Sequence, residues 1–301
     1  MTDPTTRPGV PRPMLDALSR QAESLARRAV TLEPFPQPPL VRTRYPVVLM
    51  HGFGALANLM QQGVLHAEAM HLRAHGVLAF APHVNPYDTV TVRARTWADR
   101  LDRVLEETGA EKVNLVGFSS AGLEARALAG RLGRAGQIAS IVTVSAPHRG
   151  SPIVDYLLSR TDRLKEWTVG LMDFLGRASY AAEVPHTEEA LYELSPDYVC
   201  GTFEAEHPIP EGIFCASYAG RAGKGTGIPI YPPLMIPNRI LYEAAGVNDG
   251  LVPTESAKWG EVLGILDADH AKQIGFRLAP GAFDSKAFFL GLARDLATRG
   301  L

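Results

Sequence analysis

Lys112-Val-Asn-Leu-Val-Gly-Phe-Ser-Ser-Ala-Gly-Leu-Glu-Ala-Arg126 is the stretch whose reading decides the fold. An apolar, β-branched run ends at Gly117, a cluster of small residues follows, and an Ala/Leu/Arg-rich run begins. This is strand, sharp turn, helix. The turn has the pattern of a nucleophile elbow, which lifts a serine above the edge of a sheet. Such a serine sits in a strained backbone conformation, so the flanking turns approach closely and favour small residues such as Gly117 and Ala121. The helix behind it directs free N–H groups toward the place where negative charge develops. Ser119 fits the elbow better than Ser120, because two residues before it stands Gly117, whereas two before Ser120 stands Phe118. The match is G-x-S-x-A, with Gly122 one place later. An ordinary Ser N-cap after a buried strand is the plainer alternative.

Outward from the elbow, strands and helices alternate. Val47 to Met50 is a continuous apolar run, as in a parallel strand buried on both faces. It ends in His51-Gly-Phe-Gly54, a turn able to present a backbone N–H. Further short apolar strands are expected at 76–81, 138–145, 212–218 and 262–266. Helices are expected at 65–74, 92–107, 123–132 and 284–298, the second with Trp97, Leu101, Val104 and Leu105 on its apolar side. The alternation implies an α/β fold, a mostly parallel central sheet with helices on both faces. Its active site belongs at the C-terminal ends of the strands. His51–Gly54, Ser119 and Ala146-Pro-His-Arg-Gly150 are all placed there.

Residues 1–40 read as a disordered tail, a helix at 14–30 with Leu15, Leu18, Ala22, Leu25 and Ala29 on one face, and a Pro-rich connector. That face is expected to pack on the main body. Residues 41–301 form the main domain. Within it, 151–199 breaks the rhythm with an apolar helical insertion, read equally as core or as a lid over an acyl pocket.

A serine needs a base, and the base needs an anion to hold its tautomer. In chain order the expected arrangement is Ser, acid, His. His207 and His270 lie downstream of the insertion. His270 follows a strand end, as a base should, whereas His207 sits in a loop before a strand. Asp249, in Asn248-Asp-Gly-Leu-Val252, is the expected acid. Asp267 and Asp269 are too close in sequence to His270 to reach its Nδ1 from the correct side. The oxyanion hole is expected from the N–H groups of Phe53 and Ser120. His51 is read as a loop brace.

The chain has 301 residues, 46% hydrophobic and 21% charged, with a net charge of −2. That balance offers no case for nucleic acid or an anionic membrane. No apolar run approaches a membrane span, and no signal peptide is seen, so a cytoplasmic location is expected, with secretion left open. Two cysteines, Cys200 and Cys215, make no disulfide framework. No cofactor and no metal is expected.

Five stretches in order, Tyr45–Phe53, Val113–Ser119, Ala146–Ser151, Val247–Val252 and Asp269-His270, resemble the bacterial true-lipase group of the α/β-hydrolase superfamily, the Pseudomonas and Burkholderia type triacylglycerol lipases. The resemblance covers most of 44–276. It implies the α/β-hydrolase fold, Ser119 as nucleophile, Asp249 as acid, His270 as base and a mobile helical lid in 151–199. There are departures. Phe118 and Ser120 replace the family's usual residues around the serine, and Ala121 replaces a Gly. Lys272 stands where the family carries a calcium-binding Asp; a cation there would repel Ca²⁺, so no calcium site is expected. The resulting expectation is a serine ester hydrolase, lipase or carboxylesterase, acting on a small-molecule or lipid ester, with transient contact to a lipid interface. Its rivals are an acyltransferase with the same triad and a non-catalytic binding protein of the same fold.

Overall fold

The structure, a computed structural model, describes residues 38–54, 63–159, 187–276 and 283–301, together with Ser19, Ala22, Glu23, Leu25, Ala26 and Ala29. It divides into two units, Met1–Pro39 and Leu40–Leu301. In the first, the six described residues between 19 and 29 are helical and exposed, and Pro38 and Pro39 lie outside any helix or strand. The rest of the helix expected at 14–30 lies outside the described residues.

The second unit is built on a six-stranded sheet: β1 (Val47–Met50), β2 (Ala79–Phe80), β3 (Val113–Phe118), β4 (Ile138–Val144), β5 (Phe214–Gly220) and β6 (Glu261–Leu266). Their order is β2-β1-β3-β4-β5-β6, and every pairing is parallel. The helices are α1 (His66–Ala74), α2 (Val90–Thr108), α3 (Ala121–Ala129), α4 (Pro152–Leu158), α5 (Thr187–Tyr192), α6 (Met235–Ala245) and α7 (Ser285–Thr298).

β1, β3 and β4 are buried at every position because both faces of the sheet are covered. Val47, Leu49, Val116 and Phe118 point to the layer holding Leu72 of α1 and Phe289, Leu292 and Leu296 of α7. Val48, Met50, Val113 and Leu115 point to the opposite layer with Trp97, Leu101 and Val104 of α2 and Ala125 and Leu128 of α3. Alternate side chains of one strand thus feed two cores. One edge strand, β2, departs from the expected bounds, and the other, β6, keeps them to within one residue. β2 is two residues long where 76–81 was expected, and it pairs with β1 alone. β6, at the other edge, leaves Val262 and Ile265 exposed.

Caps set the helix ends. The Thr89 hydroxyl accepts from Val92 N–H at the start of α2, and Gly109, at φ 65°, closes it. α3 starts directly after Ser120, earlier than the expected Leu123, and stops at Gly130. In the expected lid region, α4 buries Ile153, Val154 and Leu157 against Leu191 and Leu241, so this part is core. The lid helix read at 164–175 lies outside the described residues. A helical stretch over 196–206, with a π-turn at Val199–Phe203, was not anticipated.

Candidate active site

Ser119 sits at φ 57°, in the left-handed region that non-glycine residues avoid. Holding it there costs about 1–3 kcal/mol, which the surrounding packing must offset. That packing is tight. A Cβ on Gly117 would lie 2.8 Å from the Ala121 carbonyl oxygen, and one on Gly122 would lie 2.4 Å from the Ala146 Cβ. Gly122, one position beyond the motif's usual place, therefore supplies the close approach of α3 to β4. A Cβ on Gly52 would come within 2.5 Å of the Ser119 Cβ, so the 51–54 loop presses directly on the elbow.

The side chain of Ser119 is half-buried, and its Oγ lies 3.0 Å from His270 Nε2. His270 Nδ1 lies 2.7 Å from Asp249 Oδ2. These three residues, 151 positions apart at the extremes, are the ones expected from chain order. The Asp249 carboxylate assigns the ring proton to Nδ1, leaving Nε2 to accept from the serine. His270 also donates its backbone N–H to the Asp249 carbonyl, and its ring lies against Phe118, centroids 4.6 Å apart.

Asp249 is fully buried. Burial by itself would raise its pKa, but the charge and hydrogen bond of His270 and the N–H groups of Val252 and Leu251 bring it below the usual carboxylate value. Its Oδ1 accepts from both of those N–H groups, at 2.8 and 3.0 Å. Gln273 Nε2 adds a further bond to Oδ2, 3.1 Å long. Gln273 was missed in the sequence. Its one signal is its place three residues after His270, on a 3₁₀ turn (Lys272–Ile274).

The neighbouring carboxylates are occupied elsewhere. Asp267 is exposed and pairs with Arg221 at 2.6 Å. Asp269 is buried and accepts from the N–H groups of Tyr231 and Lys272. The Lys272 ammonium, itself buried, lies 3.6 Å from Asp269 and donates to the Pro229 carbonyl at 3.1 Å. This position holds a tethered cation among its acceptors, so its residues do not fit a calcium ion. Among the described residues no cluster of three His, Cys, Asp or Glu side chains is suited to a metal. His207, the rival base, is buried against Phe203. Cys200 and Cys215 are both free, one exposed and one inside β5.

The 51–54 loop is held by a network that sequence reasoning did not find. Arg93 of α2 and Glu124 of α3 form an ion pair at 2.7 Å with almost no exposure. Arg93 also donates to the His51 carbonyl at 2.6 Å and to the Asn85 carbonyl at 2.6 Å. Glu124 accepts Trp97 Nε1 at 2.6 Å and the Ser120 hydroxyl at 2.9 Å. His51 accepts the Val84 N–H at Nε2, and burial, with Arg93 adding to it, lowers its pKa to about 3. It is a neutral brace, as read from the sequence. The two N–H groups expected to form the oxyanion hole lie on either side of this network, and the Phe53 N–H donates to Ser120 Oγ at 2.8 Å.

Comparison with solved structures matches this architecture. A Bacillus licheniformis lipase in mature form superposes with a TM-score of 0.62 over 87% of this chain and 94% of its own, at 21% identity. Lipase 1 from Pelosinus fermentans gives 0.64 over 85% and 99%, at 18% identity. The chain has the α/β-hydrolase fold. In sequence, the chain is 26% identical to a triacylglycerol lipase of Vibrio cholerae over 247 residues, 74% of this chain and 76% of the relative. It is 33% identical to a triacylglycerol lipase of Burkholderia plantarii over 135 residues, 43% of this chain and 36% of that relative's length. The family model described as Palmitoyl protein thioesterase matches residues 46–187. That match takes in the 51–54 loop and the elbow and ends before Asp249 and His270.

Proposed function

We propose that the chain is a carboxylic ester hydrolase that works through an acyl-enzyme on Ser119. The observation that carries this reading is the unbroken line from Ser119 Oγ through His270 to Asp249, with contacts of 3.0 and 2.7 Å. It is placed at the C-terminal ends of β3, β5 and β6. The triacylglycerol lipase names of relatives at 26% and 33% identity support the ester as substrate.

In the proposed cycle the Ser119 oxygen attacks the ester carbonyl carbon while its proton passes to His270 Nε2. Asp249 stabilises the imidazolium that forms. The carbonyl oxygen takes the negative charge and is met by the N–H groups of Ser120 and Phe53. Collapse breaks the bond to the leaving alkoxide, which takes the proton from His270. Water then repeats the sequence on the acyl-enzyme, and the acid and Ser119 are regenerated. Lipid or soluble esters of moderate to long acyl chains are the proposed substrate class. Initial rates on glycerol esters of increasing acyl length, dissolved and emulsified, test it together with Ser119→Ala. Ser119→Ala is expected to abolish hydrolysis, and normal rates in that protein would sink the reading.

A second reading has an observation of its own. The thioesterase description of the family model over 46–187 favours a thioester as the acyl donor. The same acyl-enzyme would form, with a thiolate leaving in place of an alkoxide. Rates on a palmitoyl thioester and on the matching oxygen ester, measured side by side, separate the two readings.

A further inference from the structure

Ser120 does two things at once. Its backbone begins α3, and its hydroxyl stands between the Glu124 carboxylate and the Phe53 N–H. A carboxylate can only accept, so the hydroxyl proton points to Glu124 Oε1, 2.9 Å away. Arg93, 2.7 Å from that same oxygen, holds the Glu124 carboxylate in place. With its proton committed, the Ser120 oxygen can only turn a lone pair to Phe53, whose N–H it accepts at 2.8 Å. Ser120 is 2% exposed and Glu124 fully buried, so water does not compete for these bonds. The Phe53 N–H, one of the two donors assigned to the oxyanion, is thus engaged in the resting molecule.

We propose that the Ser120 hydroxyl is a latch on the oxyanion site, which holds the Phe53 N–H until the developing oxyanion of the substrate replaces it. The inference rests on the acyl-enzyme reading above. A neutral ester carbonyl offers the N–H a bond no better than the hydroxyl it would displace. An oxyanion offers a charge-assisted bond about twice as strong. The exchange is therefore neutral in the ground state and favourable in the transition state, the condition under which an interaction raises kcat rather than lowering KM. When it releases Phe53, the Ser120 hydroxyl keeps Glu124 as acceptor, so no buried donor is stranded. Ser120 is in this sense a positioning residue through its side chain, apart from the role proposed for its backbone N–H.

Ser120→Ala removes the latch and leaves the backbone N–H in place. In this variant KM for a soluble ester is expected to fall about 2- to 10-fold with no rise in kcat, because the freed Phe53 N–H now binds the neutral carbonyl as well. The Phe53 amide proton, followed by NMR, is expected to exchange with deuterium faster than in the wild type. A KM that stays or rises, or an unchanged Phe53 exchange rate, overturns the latch. If Ser120→Ala does not fold, the wild type carries the test. Phosphonylation of Ser119 by a fluorophosphonate is expected to move the Phe53 amide proton downfield, and no movement overturns the proposal. Retained hydrolysis in Ser119→Ala would instead remove the acyl-enzyme reading beneath it, whatever Ser120→Ala shows.

Discussion

Two buried carboxylates flank the nucleophile, and they are held in opposite ways. Asp249 has no permanent cation within its hydrogen-bond shell. It is held by the N–H groups of Leu251 and Val252, the amide of Gln273 and the ring of His270. Glu124 has a full positive charge against it, Arg93, with Trp97 and the Ser120 hydroxyl as further donors. The difference follows from what each partner must do. On the proposed mechanism His270 is neutral at rest and charged after it takes the serine proton. An arginine beside Asp249 would satisfy the carboxylate permanently and leave less of its field for that imidazolium. Glu124 touches no reacting atom and needs a constant partner, because its work is to join α2, α3 and the 51–54 loop. One carboxylate is tuned to a changing charge and the other to a fixed one.

The sharpest way to break this comparison is Asp249→Asn. The amide keeps the shape but favours the wrong ring tautomer, so kcat is expected to fall by about three to four orders of magnitude. Thermal stability should change far less than activity. Loss of less than tenfold in a steady-state assay would mean that His270 draws its orientation from another group, with Gln273 and the Phe118 ring the first to test.

The opposite signature is expected of Arg93→Met. Removing the cation leaves a buried Glu124 carboxylate with only neutral donors, a change that costs about 3–5 kcal/mol in comparable buried pairs. Chemical denaturation should read this as a large drop in midpoint. Activity should fall through loss of the 51–54 loop geometry, since Arg93 also holds the His51 carbonyl. If Arg93→Met is as stable as the wild type, the pair is not what holds these elements together.

These two carboxylates also differ in how legible they were. Asp249, Ser119 and His270 sit in short local patterns at strand ends, and the order Ser, acid, His is itself a signal. The central strands were equally plain, because burial on both faces makes them apolar runs. Arg93 and Glu124 carry no such mark. They are 31 residues apart, each on a helix where a charged residue is ordinarily read as solvated. Only the i, i+4 spacing of Arg93, Trp97 and Leu101 along one face of α2 could have hinted that the arginine points inward. The engagement of the Phe53 N–H by Ser120 was beyond sequence, because motif spacing locates a backbone donor but not what it is bonded to. The edge strand β2 came out shorter than the expected 76–81 for another reason: a strand paired on one side is set by its one partner, and an apolar run does not show where that pairing stops.

A third carboxylate sharpens the comparison through pH. Glu193, buried beside the start of α2, accepts the Val90 N–H. Burial pushes its pKa up to about 7 against the pull of that N–H and of Thr91, with the charges of Glu189 and Glu124 adding to the rise. An unfolded Glu titrates near ~4.3. Between that value and about 7 the folded chain holds a proton that the unfolded chain has released, so stability falls as pH rises through this window. Gln imitates the protonated form. Glu193→Gln is expected to match the wild type in melting temperature at pH 4 and to exceed it at pH 8. Melting curves that run parallel across the window would show that Glu193 titrates as an ordinary surface carboxylate.

The smallest effect is expected where a carboxylate lies near His270 in sequence but outside the site. Asp267, three residues before the base, pairs with Arg221 in solvent. Exposed pairs of this kind contribute little, since water already solvates both charges and two long side chains lose freedom in meeting. Asp267→Asn should therefore leave kcat/KM within about twofold and the melting temperature nearly unchanged, in contrast to Asp249→Asn. The contrast isolates burial as the cause. Asp249 lies 21 positions from His270 and reaches its ring with no exposure, whereas Asp267 is close in the chain and faces outward. If Asp267→Asn slowed turnover as much as Asp249→Asn, chain proximity rather than burial would be deciding which carboxylate serves the imidazole.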